Sequence, residues 1–477
     1  MTNDMTDVAG LLGLWASGTG PLYDQLALGI IRLIESGDIV VGTRLPPERD
    51  FAKALAVSRT TIISAYAKLQ ELGWLERRQG AGTWVTRPVE DSRKALNSPV
   101  GATSYAITRV LNAAVQPAPG VIDLATAAYK DAHHVHDVLA SLLPEDLAVY
   151  GELGGYHPLG IPELRSAVAT FLSQRGVPTT LNQVVITTGV QQAAQIILSV
   201  YAPTGHPVAV ESPTWNCILD ILRMLGGVVI PLPVDDRGAV LGEISRLAQT
   251  SNLRAIWMTS GYHNPTGVEV ARERVHEAAR LAEETRTPII ENATLRELGL
   301  RPGNAPLTVA HYAPTGPVIT VGSLSKLLSP VLRLAWLRAP ESIVRQIARQ
   351  KTVWDSGSSL LPQIVAARLL ESWADIAASR RETTARNLAA AESALQELLP
   401  DWSYRAPDGG QSLWVTMPRG DSRPFAHLAM REGVEVLPGS IFSWEDSPCP
   451  NLRVSLTRSP AETVEGLGRL ARAWRKA

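Results

Sequence analysis

The chain has 477 residues, too many for one small core, so its length predicts a large domain with an additional module. Its hydrophobic content of 45% and charged content of 19% are typical of globular proteins, and a net charge of -1 argues against a protein that coats nucleic acid by bulk charge, although it leaves open a small domain with a local basic face. The sequence has no long uncharged apolar run, and acids stand near the N-terminus where a signal peptide would carry lysines. We therefore expect a cytoplasmic protein that does not bind a membrane.

Residues 15–87 predict a small module of three helices and two short strands. Apolar residues recur at helical spacing over residues 21–37, where a glycine ends the pattern. Pro46 and Pro47 then suit the first turn of a second helix, which we expect to run to about residue 55.

The third predicted helix begins with residue types that suit contact with DNA. Ser58 is a good N-cap for a helix over residues 59–72. Its expected inward-facing residues are Ala65, Leu69 and Leu72. A helix, a tight turn and a second helix can insert side chains into a major groove and direct amides toward phosphate. Short strands over 74–78 and 83–85, joined by a glycine-rich tip, complete a winged helix-turn-helix.

This module strongly resembles the GntR family of bacterial transcription regulators. The resemblance rests on the segments Leu45-Pro46-Pro47-Glu48-Arg49, Val57-Ser58-Arg59-Thr60-Thr61 and Arg78-Gln79-Gly80-Ala81-Gly82-Thr83. It implies binding to a double-stranded DNA operator. The DNA-binding residues that it implies are Arg49, Ser58, Arg59, Thr60, Thr61, Gly80 and Gly82. Because the module is only slightly basic, we expect specific binding to need two copies.

Residues 88–104 have the composition of a flexible linker, with little periodicity. Downstream, His133, His134 and His136 lack a surrounding carboxylate or cysteine framework, so they are interpreted as a surface loop. Cys217 and Cys449 are far apart and have no CxxC or CxxH neighbour. We therefore expect neither a disulfide framework nor a bound metal.

Residues 105–477 predict an α/β domain, because helical stretches alternate with short Val/Ile-rich runs. Buried strands separated by helices indicate a mostly parallel sheet covered on both faces. The predicted strands are 184–186, 208–210, 228–231, 255–258, 288–290, 318–321 and 334–337. In such a sheet a ligand lies at the carboxyl ends of the strands.

The motifs whose side chains could bind a cofactor follow these predicted strands. Lys326 lies in a Ser-x-Ser-Lys turn between two apolar strands, and Arg333 follows seven residues later. An amine for a Schiff base, with hydroxyl and guanidinium groups for a phosphate, is what a pyridoxal phosphate pocket requires. Residues 187–193 form a small-residue turn that opens a helix, whose free amides suit a phosphate. Trp215 offers an aromatic face for a pyridine ring, and Asn264 offers an amide to the ring hydroxyl.

In this order the motifs resemble those of fold-type I pyridoxal phosphate enzymes, the aspartate aminotransferase superfamily, over residues 105–477. The resemblance implies pyridoxal 5'-phosphate as the cofactor, with Lys326 in the internal aldimine. It assigns Arg453 to a carboxylate of the effector, a task suited to a bidentate guanidinium. Tyr150 matches the tyrosine that reaches the cofactor phosphate of the partner subunit. The other implied cofactor-binding residues are Val190, Gln191, Trp215, Asn264, Asn292, Thr294, Ser323 and Arg333.

One position departs from that family's pattern. Asn292 stands where an aspartate is expected to keep the pyridine nitrogen protonated, and Thr294 stands where a tyrosine usually contacts the ring oxygen. Asparagine can donate or accept a hydrogen bond but brings no charge. Glu291 could replace the aspartate only if the strand register slipped by one residue, which would turn its side chain to the other face. We expect carbanion chemistry to suffer, while aldimine formation, which depends mainly on Lys326, persists.

A GntR-type winged helix followed by an aminotransferase-like domain resembles the MocR family over the whole chain. That resemblance implies a homodimeric regulator that uses pyridoxal phosphate to sense a small amine or amino acid through the Lys326 aldimine. We therefore expect a transcription regulator and not an enzyme. The alternatives are a working aminotransferase that carries a DNA-binding domain, and a sensor of pyridoxal phosphate itself.

Overall fold

The computed structural model describes residues 8–13, 15–16, 20–78, 82–86, 109, 120–151, 155–250, 253–303, 305–445 and 447–477. The N-terminal part forms a winged helix. Its elements are α1 (Val8–Leu11), α2 (Leu22–Ser36), α3 (Glu48–Ala54), α4 (Arg59–Glu71), β1 (Leu75–Arg78) and β2 (Gly82–Val85). The predicted linker at 88–104 and the wing residues 79–81, which include Gly80, lie outside the described residues.

The winged helix has its own hydrophobic core. Leu26, Ile30 and Ile34 of α2 are fully buried, and Gly37 ends the helix in the left-handed conformation that glycine adopts without strain. Helix α1 belongs to the same core, although the sequence pattern placed the start of the module at residue 15. The prediction that Leu72 faces inward is wrong. Because α4 ends at Glu71, Leu72 is the C-cap residue and is 47% exposed.

The large sheet contains every strand predicted from the sequence. Its strands are β4 (Val184–Thr187), β5 (Pro207–Ser212), β6 (Val228–Asp235), β7 (Gly238–Ala239), β8 (Ala255–Thr259), β9 (Ile289–Asn292), β10 (Val318–Ser323) and β11 (Ala335–Arg338). They lie in the order β4-β11-β10-β9-β8-β5-β6-β7. Strands β6, β5, β8, β9 and β10 are parallel, whereas β11 is antiparallel to both of its neighbours and β7 to β6. The central strands are apolar and buried on both faces, as expected for a sheet covered by helices.

Helices cover the two faces of this sheet and fill the connections. They are α5 (His133–Ala140), α6 (Pro144–Gly151), α7 (Pro162–Gln174), α8 (Val190–Tyr201), α9 (Asn216–Met224), α10 (Gly242–Thr250), α11 (Arg272–Thr285), α12 (Val309–Tyr312), α13 (Leu324–Leu327), α14 (Glu341–Trp354) and α15 (Leu360–Leu369). The interpretation of His133, His134 and His136 as a loop is wrong, because they form the first turns of α5. Asp131 accepts a hydrogen bond from the His133 N–H and so stabilises that helix start.

A smaller C-terminal layer was not predicted from the sequence. It contains α16 (Trp373–Leu398), β12 (Ser403–Tyr404), β13 (Ser412–Thr416), α17 (Ser422–Arg431), β14 (Val434–Glu435), β15 (Leu437–Pro438), β16 (Asn451–Ser455) and α18 (Pro460–Trp474). Strands β12, β13, β16 and β15 form an antiparallel sheet, while β14 pairs in parallel with β3 (Ile122–Asp123). Helices α16, α17 and α18 share one apolar core with this layer. A cleft remains between the layer and the carboxyl ends of the large sheet.

Candidate functional site

A cavity of about 730 Å³ lies in this cleft. The predicted site residues that line it are Val190, Gln191, Trp215, Asn264, Thr294, Ser323, Lys326, Arg333 and Arg453. They come from the loops that follow β4, β5, β8, β9 and β10, and from β16 of the small layer. Parallel strands bring their carboxyl ends to one edge, so residues more than 250 positions apart along the chain meet in one cavity.

Lys326 lies in the short helix α13, directly after β10. Ser323 caps that helix by accepting a hydrogen bond from the Lys326 N–H at 3.1 Å, which fixes the lysine next to the carboxyl end of β10. The Lys326 ammonium donates to the Ala127 carbonyl. Burial of the amine, followed by the nearby Arg453 charge, lowers the pKa of Lys326 to about 8. The neutral, nucleophilic form is therefore much more accessible near pH 7 than for a solvated lysine.

One end of the cavity is suited to an anion. Helix α8 begins at Val190 after Gly189, whose φ of 119° is unfavourable for other residues, and its first-turn amides face this region. Arg333 lies beside this turn, since a Cβ placed on Gly189 would be 3.6 Å from its guanidinium Nη2. Ser323 and Ser325 complete the polar lining at this end. Amides, hydroxyls and a guanidinium in one place form a phosphate site.

Trp215 and Asn264 form another part of the wall. Trp215 precedes α9 and stacks on the buried Trp257 ring at a centroid distance of 6.1 Å, which fixes the orientation of its indole. Asn264 accepts a hydrogen bond from Nη1 of Arg453 at 3.2 Å. A flat aromatic face and a fixed amide are suited to the ring of a heteroaromatic cofactor.

Arg453 is a buried guanidinium whose hydrogen bonds to the described residues include none to a carboxylate. Its Nη2 donates to the Ala125 carbonyl at 2.8 Å and its Nη1 to Asn264, which are both neutral acceptors. Its Nε has no hydrogen-bond partner among the described residues. Burial and the nearby Arg109 lower the pKa of Arg453 to about 10. A buried cation with spare donors is costly unless an anion joins it, so this position suits a ligand carboxylate.

Asn292, in contrast, is not part of the cavity lining. It is the last residue of β9, is 4% exposed, and its Oδ1 accepts the Thr294 N–H at 3.2 Å. The adjacent Glu291 faces elsewhere, since its carboxylate accepts from Thr320 Oγ1 and from the first amides of α12. These bonds fix the register of β9, so Glu291 does not turn toward the cavity.

Tyr150 lies away from Lys326. It lines a separate cavity of about 620 Å³ next to α7, together with Glu163 and Arg368. Burial, with a hydrogen bond to Glu163, raises the pKa of Tyr150 to about 12, so its hydroxyl is protonated. Its assignment to a partner subunit's cofactor stays a prediction.

Several residues that line the Lys326 cavity were missed from the sequence. Arg109 Nε donates to Glu435 Oε1 at 2.6 Å, and its Nη2 contacts Asp123 at 3.2 Å. Glu435 and Asp123 are partners in the short β3–β14 pair, which joins residues more than 300 positions apart. No short motif could reveal this group. Cys217 in the first turn of α9 and Asp220 in the second also line the cavity, and burial raises the pKa of the Cys217 thiol to about 11.

Four of the predicted DNA-binding residues, Ser58, Arg59, Thr60 and Thr61, lie together at the start of α4. Ser58 accepts the Thr61 N–H at 3.1 Å, and Ser58, Arg59 and Thr60 are exposed. Arg59 contacts Glu48 at 3.3 Å without being buried. The remaining predicted residues in the described part are Arg49, which is exposed, and Gly82, which has a φ of 96° at the start of β2.

Comparison with known proteins identifies both parts of the chain. Residues 119–470 match the family described as aminotransferase class I and II, and residues 22–85 match the bacterial regulatory proteins of the gntR family. The chain belongs to the aminotransferase class I and II family. Its order of domains, with a GntR module in front, is that of a MocR-type fusion.

Similar proteins include regulators and enzymes. The uncharacterized HTH-type transcriptional regulator YdfD of Bacillus subtilis is 28% identical over 443 residues, covering 89% of this chain and 90% of that protein. The probable rhizopine catabolism regulatory protein MocR of Rhizobium meliloti is 29% identical over 356 residues, covering 73% and 71% of the two chains. The structure of LysN, an α-aminoadipate aminotransferase from Thermus thermophilus complexed with N-(5'-phosphopyridoxyl)-L-leucine, matches with a TM-score of 0.68 and 24% identity, covering 75% of this chain and 92% of that one.

The aminotransferase-family cavity fits pyridoxal 5'-phosphate. The anion site at α8 suits its phosphate, Trp215 its ring, and Lys326 its aldehyde. Within the described ranges, no group of three or more His, Cys, Asp or Glu side chains could hold a metal ion. Nor does any described helix have the length and apolar character needed to cross a membrane.

Proposed function

We propose that this protein is a DNA-binding transcription regulator that holds pyridoxal phosphate at Lys326 and responds to a small amine or amino acid. The observation that carries the proposal is the combination, in one cavity, of a lysine with a lowered pKa and the buried Arg453, in a chain that also presents an exposed recognition helix. The names of YdfD and MocR support a regulatory role for proteins of this architecture.

Separate residues of the cavity would hold the cofactor and the effector. When bound, pyridoxal phosphate supplies an aldehyde that condenses reversibly with primary amines. Lys326 presents its amine to that position, while Arg333 and the start of α8 hold the phosphate. Arg453 and Asn264 orient a carboxylate of the effector next to it. The effector class that best fits is therefore an amine with a carboxylate.

Asn292 favours sensing over turnover. Steps that pass through a carbanion need a charged partner near the ring nitrogen, whereas Asn292 is uncharged and does not line the cavity. Glu291 cannot take over, because its oxygens are used by Thr320 and α12. We therefore propose that transamination is slow and that binding of the effector, rather than its conversion, is the signal.

A working aminotransferase is the second candidate. Family membership favours it, since the cavity keeps Lys326, Arg333 and Arg453. The third candidate is a sensor of the cofactor itself. It differs from the first candidate because pyridoxal phosphate without any amine would change the affinity of the protein for its operator.

We also propose a homodimer that acts in the cytoplasm. Tyr150 lies outside the Lys326 cavity of its own chain, and a role at the cofactor therefore requires the cavity of a second copy. Two copies would also supply two winged helices for two half-sites of an operator.

The decisive test is the visible absorbance of the protein, titrated first with pyridoxal phosphate and then with a panel of amines and amino acids. We expect a band that Lys326→Ala abolishes and that the exposed control Lys130→Ala retains. One amine should shift the band and, at the same concentration, change affinity for DNA from upstream of the protein's own gene. Steady conversion to pyridoxamine, reversed by a keto acid, would instead establish an aminotransferase.

A further inference from the structure

Arg431, the last residue of α17, contacts the winged helix directly. Its Nη1 donates to the Leu55 carbonyl at 3.3 Å and its Nη2 to the Ala56 carbonyl at 2.6 Å. Leu55 and Ala56 form the turn between the two helices of the helix-turn-helix, and Ala56 has a φ of 51°. The aminotransferase-like part therefore holds the DNA module at the turn that positions the recognition helix α4.

The chemistry of this contact is favourable for both partners. Carbonyls at the C-terminus of a helix lack intrahelical partners and carry the negative end of the helix dipole. Leu55 and Ala56 follow the last residue of α3, so the Arg431 guanidinium caps that helix with two donors. A planar fork can satisfy two adjacent carbonyls at once, which a lysine ammonium cannot do in fixed geometry.

A second contact comes from the same face of α17. His427 lies one turn before Arg431, is 5% exposed, and forms a hydrogen bond with the backbone of Ala9. Ala9 belongs to α1, which is part of the winged-helix core. Residues four apart lie on one side of a helix, so His427 and Arg431 together make one surface that faces the module.

The segment that follows Arg431 in the chain leads to the Lys326 cavity. Four residues after Arg431, Glu435 in β14 lines the cavity and binds Arg109. The short segment between them is hydrogen-bonded to β3 and α18, because the Gly433 carbonyl accepts from the Ile122 N–H and from Arg469 Nη1. Only three residues separate Arg431 from Glu435, so a displacement of Glu435 by a ligand would reach the end of α17 through the backbone.

We propose that α17 is the docking surface of the winged helix, with Arg431 as its main anchor, and that it couples the cavity to the position of α4. The coupling half of this inference rests on the proposed function, whereas the docking half does not. In this scheme a ligand changes the position of the winged helix only if it binds one arrangement of β14 and α17 more tightly than the other.

Hydrogen exchange of the full-length protein tests the docking. In Arg431→Ala, amides of residues 51–57 should exchange about tenfold faster than in the wild type, because two charge-assisted hydrogen bonds are lost. Arg431→Lys should lie between the two. The control Arg423→Ala removes an arginine from the opposite end of α17, where it binds Ser440 within the same layer, and should leave exchange at 51–57 unchanged.

The same variants test the coupling with pyridoxal phosphate as the probe. Loading the wild type should change exchange at residues 51–57, and the change should vanish in Arg431→Ala although its visible band stays normal. Equal exchange in wild type and Arg431→Ala would overturn the docking, and an unchanged response to the cofactor in Arg431→Ala would overturn the coupling. Failure of the wild type to show the band or to bind operator DNA contradicts the proposed function instead, so the failures are distinguishable.

Discussion

Glu211 and His263 form a fully buried pair of titratable side chains, with Glu211 Oε2 3.6 Å from His263 Nε2. Glu211 lies near the end of β5, four residues before Trp215, and His263 directly precedes Asn264. Thr259 Oγ1 donates to Glu211 at 2.7 Å, while Glu211 Oε1 and His263 Nε2 have no hydrogen-bond partner among the described residues. Burial raises the pKa of Glu211 to about 7 and lowers the pKa of His263 to about 4, so His263 is neutral near pH 7 and Glu211 becomes neutral as the pH falls below about 7.

This pair predicts a specific dependence of stability on pH. Because the pKa of Glu211 is raised in the folded protein, its stabilising contribution to the free energy of unfolding is fully present below pH 4.5 and is lost as the pH rises through about 7. Glu211→Gln removes that loss, so the variant should gain stability relative to wild type between pH 5 and pH 8, by up to about 3 kcal/mol. His263 acts in the opposite direction, since its lowered pKa costs stability as the pH falls through 6.5 toward 4.

Denaturant unfolding at pH 5 and pH 8 would measure the difference. Glu243→Gln, which changes an exposed carboxylate paired with Arg246, is the matched control and should show no such trend. An equal effect of Glu211→Gln at both pH values would mean that Glu211 is ionised in the folded protein.

The central strands of the large sheet were predictable because each is a short apolar run that is buried on both faces. The motifs around Lys326, Trp215 and Asn264 were predictable for a related reason, since each follows such a strand and parallel topology brings their ends together. Local sequence contained what was needed for both inferences.

Features that depend on pairing between distant segments were not predictable. The Arg109–Glu435 ion pair exists because β3 and β14 meet, and neither strand exceeds two residues. The docking of Arg431 on Leu55 joins positions 376 apart. The end of α4 was missed by a single residue, but that was enough to expose Leu72.

Replacing Asn292 by aspartate should convert the site toward catalysis. A carboxylate at the end of β9, two residues before the lining residue Thr294, adds a negative charge behind the cavity wall and would favour the protonated ring nitrogen, so transamination should rise by about tenfold. Keto-acid formation from an amino donor and acceptor is the measurement. Asn292→Ser is the control, because it shortens the side chain without adding charge. No gain in Asn292→Asp would show that the slow step lies elsewhere.

Arg453 should discriminate ligands by their carboxylate. In Arg453→Gln, the apparent affinity for amino acids should fall by about 100-fold, while affinity for simple amines of the same length should change little, because only the former lose a charge-assisted contact. Titration of the visible band with both classes measures the two affinities. The exposed Arg472 offers a control as Arg472→Gln. An equal loss for both classes would indicate general damage to the cavity.

Arg59 should contribute to DNA binding mainly by charge. It is 66% exposed at the start of α4, and its pair with Glu48 is too exposed to hold it in place. We expect Arg59→Ala to weaken operator binding by about tenfold and to reduce the slope of log affinity against log salt by about one. Binding measured across a series of salt concentrations gives both numbers. Arg237→Ala, which removes an exposed arginine between β6 and the edge strand β7 of the large sheet, should change neither. If the slope stays the same while affinity falls, Arg59 contacts bases rather than phosphate, and the loss should then differ between operator sequences.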